Sequence, residues 1–225
     1  MAAYAVARFE FLVIMKGQKG KKGKVVIVSG PSGVGKGTIC REVVKRLDDV
    51  YISVSVTTRP KAESERDGQD YCFITKQQFE ERIDKGELLE YANVFGSLYG
   101  TPKDKVEQAL QAGKTIILEI DVQGAKQVKA IYPDAVMIFI LAPTQKTLAE
   151  RMGSRGRDEA EAAEERLEGA GAEIAAAWQY YEHMVINDDL KQAVGEVVEI
   201  IRGKGHQDIR ISGGELTGTS DGGKE

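Results

Sequence analysis

Cysteine and histidine are scarce in this sequence, and their positions exclude the common zinc motifs. There are two cysteines and two histidines among 225 residues. Cys40 and Cys72 form no closely spaced pair, and neither has a histidine near it in sequence, as a zinc motif would require. Isolated cysteines of this kind are typical of a reduced compartment, so we expect a cytoplasmic protein.

The sequence also lacks an excess of charge and a long apolar run. Its formal net charge is -4, from 31 basic and 35 acidic residues, which gives no reason to expect nucleic-acid binding over the whole surface. The apolar patch at 9–15 is interrupted by Glu10 and is far shorter than the roughly 18 to 20 residues of a membrane span. No small-residue cleavage site follows it, so it is a poor signal peptide. We therefore expect neither nucleic acid nor a membrane as a partner.

Strand and helix patterns alternate along the chain, which predicts an α/β fold. Apolar residues make up 42% of the sequence, enough for one sizeable core. The runs 115–120 and 136–141 are almost entirely apolar, as expected of parallel strands that are buried on both faces. The other predicted strands are 25–29, 51–56, 70–74 and 184–186, and the predicted helices are 35–47, 76–85, 102–112, 145–183 and 189–202.

Residues 30–38 are the most informative segment of the sequence. They read Gly-Pro-Ser-Gly-Val-Gly-Lys-Gly-Thr and directly follow an apolar strand. The glycines allow successive backbone N–H groups to face an anion, and Lys36 begins a helix whose positive end favours phosphate. This pattern predicts a nucleotide-binding P-loop, with the ATP-binding residues Gly30, Pro31, Ser32, Gly33, Val34, Gly35, Lys36, Gly37 and Thr38. Gly37 occupies the usual place of a magnesium-binding hydroxyl, which arrives one residue later at Thr38.

Three further segments, together with the P-loop, resemble guanylate kinase. They are 53–59 (Ser-Val-Ser-Val-Thr-Thr-Arg), 89–101 (Leu-Glu-Tyr-Ala-Asn-Val-Phe-Gly-Ser-Leu-Tyr-Gly-Thr) and 118–124 (Leu-Glu-Ile-Asp-Val-Gln-Gly). The resemblance runs in unbroken order from 24 to 202 and includes an arginine-rich segment. It implies transfer of the terminal phosphoryl group of ATP to GMP or dGMP with magnesium, and GMP would give GDP.

The resemblance also implies an architecture. This is the P-loop nucleoside monophosphate kinase fold of three layers, with a parallel core sheet, a GMP-binding lobe and a helical lid. On this basis the domain spans 24–202, with its core at 24–52, 105–145 and 176–202, the lobe at 53–104 and the lid at 146–175. We interpret 1–23 as a flexible extension and 203–225, which has few apolar residues, as a disordered tail.

A guanine site needs carboxylates facing two adjacent N–H donors and a hydroxyl or amide facing the carbonyl oxygen. Glu90, Asp121 and Ser55 match the family positions that supply this set. Taken singly, each is an ordinary polar side chain, and only their combination indicates a guanine pocket. The residues that match the family's binding site for the GMP phosphate are Arg59, Tyr71, Tyr99 and Thr101.

Phosphoryl transfer needs positive charge around the migrating group, because its three oxygens stay negative through the transition state. We expect Lys36 to hold the β- and γ-phosphates. The resemblance assigns further catalytic cations to the GMP site and to the lid, namely Arg59, Arg151, Arg155 and Arg166. For the lid arginines, surface ion pairing with nearby glutamates is the alternative.

Magnesium is the expected cofactor, and its ligands are the weakest part of the pattern. We expect phosphate oxygens, water, Thr38 and Glu119, which stands near the end of strand 115–120. Asn187 matches a family contact to adenine. It fits equally well as the N-cap of helix 189–202.

Two other functions stay open at this point. One is an interaction module of the same fold without catalysis, although such modules typically lose the P-loop glycines or lysine, which are intact here. The other is a P-loop kinase for a different phosphorylated small molecule. The oligomeric state stays open as monomer or homodimer. The sequence also has Ala62 where the family commonly has a second arginine for the GMP phosphate, and we expect Lys61 to replace part of that charge.

Overall fold

The computed structural model describes residues 23–153, 169–171, 174–175 and 177–203. The predicted extension 1–23 and tail 203–225 lie outside this range except for one glycine each. In chain order the elements are β1 (Lys24–Ser29), α1 (Lys36–Arg46), β2 (Val50–Ile52), β3 (Val56–Thr57), β4 (Cys72–Phe73), α2 (Lys76–Asp84), β5 (Leu88–Val94), β6 (Ser97–Pro102), α3 (Lys103–Gln111), β7 (Thr115–Glu119), α4 (Val122–Ile131), β8 (Val136–Leu141), α5 (Gln145–Gly153), β9 (His183–Ile186) and α6 (Leu190–Ile201). Of the helices described, none combines the length and apolar character needed to cross a membrane.

Five parallel strands form the core sheet, in the order β2-β7-β1-β8-β9. Because successive side chains of a strand point to opposite faces, β1 contributes to two hydrophobic clusters. Val26 and Val28 pack with residues of α1 and α6, whereas Val25 and Ile27 pack with residues of α3 and α4. Each of these four side chains is at most 5% exposed, and such burial stabilises by about 1.5–3 kcal/mol per side chain. The sheet between two helical layers confirms the predicted three-layer α/β fold.

A second sheet of four strands comes between β2 and β7 in sequence, in the order β4-β3-β6-β5. β3 pairs with β4 in parallel, and the other neighbours are antiparallel. β5 and β6 form a hairpin whose turn residues, Phe95 and Gly96, have φ of 47° and 77°. Positive φ at both turn residues matches the natural twist of a two-residue hairpin. The predicted single strand 51–56 is wrong, because the chain leaves the core sheet after Ile52 and enters the second sheet at Val56.

Sequence analysis missed the β5–β6 hairpin and helix α4. α4 begins after Asp121, which caps it by accepting a hydrogen bond from Gly124 N at 2.9 Å. The side chain of Gln127 then ties this helix to the edge of the second sheet: its Nε2 donates to Tyr91 O at 2.8 Å, and its Oε1 accepts from Tyr91 N at 3.4 Å. The predicted helix 145–183 extends too far, since β9 begins at His183.

Candidate active site

A cleft of about 590 Å³ lies between the P-loop and the second sheet. It opens at the carboxyl ends of β1 and β7, which is where ligands bind in parallel α/β sheets. The structure brings together residues that the sequence assigned separately to ATP and to GMP. The lining includes Gly30, Ser32, Gly33, Gly35, Lys36, Gly37, Ser55, Arg59, Tyr71, Glu90, Tyr99, Glu119 and Asp121. Of the other predicted site residues that the structure describes, Pro31, Val34, Thr38, Thr101, Arg151 and Asn187 lie outside this lining.

The P-loop turns sharply from β1 into α1. Gly33 and Gly35 have φ of 83° and 99°, a region that residues with a Cβ rarely adopt. α1 begins at Lys36, so its N-terminal end is next to the cleft and favours an anion there. Lys36 Nζ donates to the carbonyl oxygens of Gly30 at 2.6 Å and Pro31 at 3.1 Å, which holds the ammonium group across the loop.

Two carboxylates converge where β5 meets the start of α4. Glu90 is only 4% exposed, and its Oε1 accepts a hydrogen bond of 2.6 Å from Thr101 Oγ1. A Cβ on Gly124 would collide with Glu90 Oε2 and lie 3.4 Å from Asp121 Oδ1. The absence of a side chain at 124 therefore lets Glu90 and Asp121 approach one another.

Glu90 is poised to change charge near neutral pH. Burial raises the pKa of Glu90 to about 7, the hydrogen bond from Thr101 opposes this shift, and the nearby charge of Asp121 adds to it. Ser55, the third predicted contact to the base, lines the same cleft and is 8% exposed. Thr101, which the family pattern placed with the phosphate, is fully buried and bonded to Glu90 instead.

Two of the predicted GMP-phosphate residues, Tyr71 and Tyr99, lie beside the guanidinium group of Arg59. Arg59 Nε donates to Tyr99 Oη at 3.2 Å, and its Nη2 donates to Glu65 Oε1 at 2.7 Å. Its Cζ lies 5.6 Å from the ring centre of Tyr71. The hydrogen bond to Glu65 raises the pKa of Arg59, while burial raises the pKa of Tyr71 far above its usual value. A charged guanidinium and phenol hydroxyl groups suit a phosphate dianion.

Ala62 and Lys61 differ in where they point. Ala62 lines the cleft near Arg59, and its N–H donates to Glu65 Oε2 at 2.8 Å. Lys61 is part of the same loop, but its Nζ lies 3.0 Å from Glu65 O and 3.4 Å from Ala62 O, outside the cleft lining. The prediction that Lys61 replaces the missing arginine therefore finds no support in this geometry.

The side chain of Glu119 approaches the P-loop at Gly37, which has no side chain to block it. A Cβ on Gly37 would lie 3.2 Å from Glu119 Oε2, and both residues line the cleft. In the described part of the chain, no three His, Cys, Asp or Glu side chains are grouped so that they could hold a metal ion. Magnesium bound with a nucleotide needs only one or two protein carboxylates, because phosphates and water complete its shell. Glu119 fits that requirement, whereas Thr38 is exposed on α1.

The predicted lid arginines are described only in part. Arg151, in the last turn of α5, donates from Nη1 to the carbonyl oxygen of Asn187 at 2.9 Å. Arg155 and Arg166 lie outside the described residues. Arg151 thus lies beside the edge of the core sheet, close to the P-loop but not in the cleft lining.

Asn187, which follows β9, is 7% exposed and reaches the P-loop. Its Nδ2 donates to Val34 O at 2.8 Å. Asp189 caps α6 by accepting from Gln192 N at 2.8 Å, so the alternative of Asn187 as that N-cap is wrong. The predicted contact of Asn187 with adenine stays a prediction.

Sequence reasoning missed three residues that shape this site. Glu65 pairs with Arg59, Gly124 makes room for Glu90, and Met152 lines the cleft with its Cγ 2.8 Å from the place of a Gly33 Cβ. Gly124 stands in a quoted motif, and its proximity to a capping aspartate was a usable signal. Nothing local in the sequence marks Met152, because it reaches Gly33 only through tertiary structure. Glu65 lies six positions from Arg59, and their pairing depends on the path of the loop between them.

Comparison with known proteins identifies the family of this chain. The family model described as guanylate kinase matches residues 22–204. The chain belongs to the guanylate kinase family. Similar relatives include the guanylate kinase of Carboxydothermus hydrogenoformans, 48% identical over 180 residues, which is 80% of this chain and 88% of that protein. Another is that of Gloeobacter violaceus, 48% identical over 178 residues, 79% of this chain and 86% of that protein.

A solved structure supports the same assignment. The crystal structure of guanylate kinase from Anaplasma phagocytophilum is similar with a TM-score of 0.69 and 30% identity, and the match covers 82% of this chain and 87% of that one. Family membership confirms the predicted nucleoside monophosphate kinase fold and the predicted activity of an ATP:GMP phosphotransferase. The guanylate kinase relatives at this identity give no support to a non-catalytic interaction module.

Proposed function

We propose that the guanylate kinase reaction of this chain takes place in the cleft described above, with ATP at the P-loop and GMP against the second sheet. The observation that carries this assignment is that one continuous cleft is lined on one side by Lys36 and the loop glycines and on the other by Glu90, Arg59 and Tyr99. Donor and acceptor would therefore face each other without a wall between them, as direct phosphoryl transfer requires.

The donor side holds the triphosphate through backbone N–H groups of 30–38 and the ammonium group of Lys36. Phosphoryl transfer gains mostly from positioning and charge neutralisation, so moving Lys36 from loop carbonyls to phosphate oxygens is the main change expected on binding. Arg151, Arg155 and Arg166 are proposed to close over the donor, and Asn187 is proposed to contact adenine.

The acceptor side reads guanine with Glu90, Asp121 and Ser55. Adenine would leave the buried carboxylate of Glu90 facing a ring acceptor, and sites built on such hydrogen bonds can reject the wrong partner by about 10⁴-fold or more. Arg59, Tyr71 and Tyr99 would bind the phosphate. Thr101 is proposed to hold Glu90 in place through its hydrogen bond, and dGMP is proposed as an acceptor beside GMP.

Magnesium would be held by phosphate oxygens, water and Glu119, and Thr38 remains a ligand suggested only by the family pattern. The magnesium ion would neutralise charge on the phosphates there. We also propose a cytoplasmic location, which the free thiols of Cys40 and Cys72 favour.

A coupled assay tests this assignment directly. The full chain is given ATP with GMP, dGMP, AMP, CMP or UMP, with magnesium or with a chelator. We expect turnover with GMP and dGMP only, and only with magnesium. Comparable turnover with AMP, CMP or UMP would support the alternative of a P-loop kinase with a different acceptor, and no turnover with any acceptor would support the interaction module.

A matched pair of variants links the activity to the pocket. Glu90→Gln removes the carboxylate and is expected to lower kcat/KM for GMP by roughly 10- to 100-fold, since each charge-assisted hydrogen bond contributes about 1.5–3 kcal/mol. Glu87→Gln makes the same chemical change at an exposed position just before β5 and is expected to leave kcat/KM unchanged. Equal activity of the two variants would remove Glu90 from the guanine site.

A further inference from the structure

The side chain of Asn187 is fixed between the edge of the core sheet and the P-loop. Its backbone N–H donates to Leu141 O at 2.8 Å, and its backbone carbonyl accepts from Arg151 Nη1 at 2.9 Å. From this anchored position Nδ2 donates to Val34 O at 2.8 Å, a buried contact between residues 153 positions apart in sequence. The P-loop is thus held by the residue that directly follows β9.

The contact determines where a neighbouring N–H group points. Val34 C=O and Gly35 N–H belong to one peptide unit, and the described chain contains no cis peptide. In a trans peptide these two groups point in opposite directions. When Asn187 holds the carbonyl oxygen on the buried side of the loop, the N–H of Gly35 is directed toward the cleft that Gly35 lines.

Gly35 also shows how closely Asn187 approaches the loop. Its φ is 99°, and a Cβ there would lie 2.5 Å from Asn187 Nδ2. Gly35 is the N-cap residue of α1, and no side chain caps that helix end. Asn187 thus supports this peptide from outside the loop, through its hydrogen bond to Val34 O.

We infer that Asn187 is a positioning residue for the phosphates of the donor, which it orients through the Val34–Gly35 peptide without touching them. The inference rests on the proposed function in one respect, namely that the triphosphate binds at the P-loop. It is separate from the proposed adenine contact, which would use Oδ1 or the second N–H of Nδ2, since the hydrogen bond to Val34 O occupies only one of the two.

Inorganic tripolyphosphate separates the two roles, because it has phosphates but no base. Asn187→Asp keeps the size and the oxygen of the side chain but replaces the donor to Val34 O by a repelling oxygen. We expect the dissociation constant for tripolyphosphate, measured by calorimetry, to rise at least tenfold. KM for ATP and for GTP as donors should rise by the same factor. KM for GMP should change less than twofold. Asn93→Asp makes the same change on an exposed strand residue and should behave like the wild type.

Tripolyphosphate that binds Asn187→Asp as it binds the wild type, while ATP binding weakens, would overturn the inference and leave only an adenine contact. A second measurement needs no variant: in ¹⁵N NMR spectra of the wild type, tripolyphosphate should shift both the Gly35 amide and the side-chain amide of Asn187. A shifted Gly35 amide with an unmoved Asn187 side chain would also overturn it. Turnover of the wild type with GMP tests the proposed function independently of these outcomes.

Discussion

Lowering the pH from 8 to 6 is expected to weaken guanine binding about tenfold, through protonation of Glu90. Burial raises the pKa of Glu90 to about 7, and guanine offers N–H donors that need its ionised form. With a pKa of about 7, roughly nine tenths of Glu90 is ionised at pH 8 and roughly one tenth at pH 6. The ratio of these fractions sets the expected loss of affinity.

Guanosine is the suitable ligand for this measurement. It lacks the phosphate, whose own protonation at a pKa of about 6 would otherwise enter the pH profile. Its inhibition constant against GMP, or its dissociation constant by calorimetry, should rise about tenfold between pH 8 and pH 6. Glu90→Gln should bind guanosine weakly and without this dependence, and Glu87→Gln should follow the wild type. A flat wild-type profile over this range would refute the reasoning about Glu90.

The same pKa predicts an effect on stability. The folded pKa lies above the usual value, so the folded protein binds this proton more tightly than the unfolded chain does. The contribution of this proton to the free energy of unfolding is fully present below about pH 4.5 and is lost as the pH rises through about 7. At pH 8 without nucleotide, Glu90→Gln should therefore raise the free energy of unfolding by up to about 3 kcal/mol. Urea unfolding at pH 5 and pH 8 checks this, and a gain that is equal at both values would contradict it.

Three further variants test other parts of the site. Lys36→Ala should fold normally and keep KM for GMP within about threefold, while kcat falls by at least about 10³-fold. Turnover at the wild-type rate would contradict the proposed role of the Lys36 charge. Ala62→Arg places a guanidinium group at the cleft beside Arg59 and should lower KM for GMP about tenfold, near 1.4 kcal/mol. Lys61→Ala should leave KM for GMP unchanged. The reverse result would support Lys61 as the phosphate contact. Gly124→Ala should displace Glu90 and reduce kcat/KM for GMP more than for ATP, and an unchanged GMP profile would show that the pocket tolerates a Cβ.

The P-loop and the buried strands could be predicted because their signals are local. Glycines, a lysine and a preceding apolar run lie within a few residues of each other, and continuous apolar residues are typical of strands covered on both faces. The hairpin of β5 and β6 was harder to see. Its turn uses Phe95, a residue that rarely has positive φ, in place of the usual asparagine or aspartate before glycine.

The chemistry of the site could be predicted residue by residue only where the family pattern supplied it. Thr101 shows the limit of that approach: its presence was predicted, but its partner, Glu90, depends on strand register between β5 and β6. Met152 lies beside Gly33 through a long-range fold of the chain that no short-range pattern records. Glu65 is six positions from Arg59, but their pairing depends on the path of the loop between them. The sheet change between Ile52 and Val56 was missed for a different reason, namely that both short strands consist mostly of β-branched residues and read as one strand.

In sequence, the strands of the second sheet lie between β2 and β7, two strands that are neighbours in the core sheet. The chain thus leaves and re-enters the core at adjacent places, and within the described residues the core strands pair only with one another. In evolutionary terms, such an insert can be exchanged for another acceptor site without rebuilding the donor site. Asp121 is the exception, since it follows β7 of the core yet stands beside Glu90 of the insert. A graft that brought in a new acceptor preference would also have to change residue 121, and any replacement there must still cap α4.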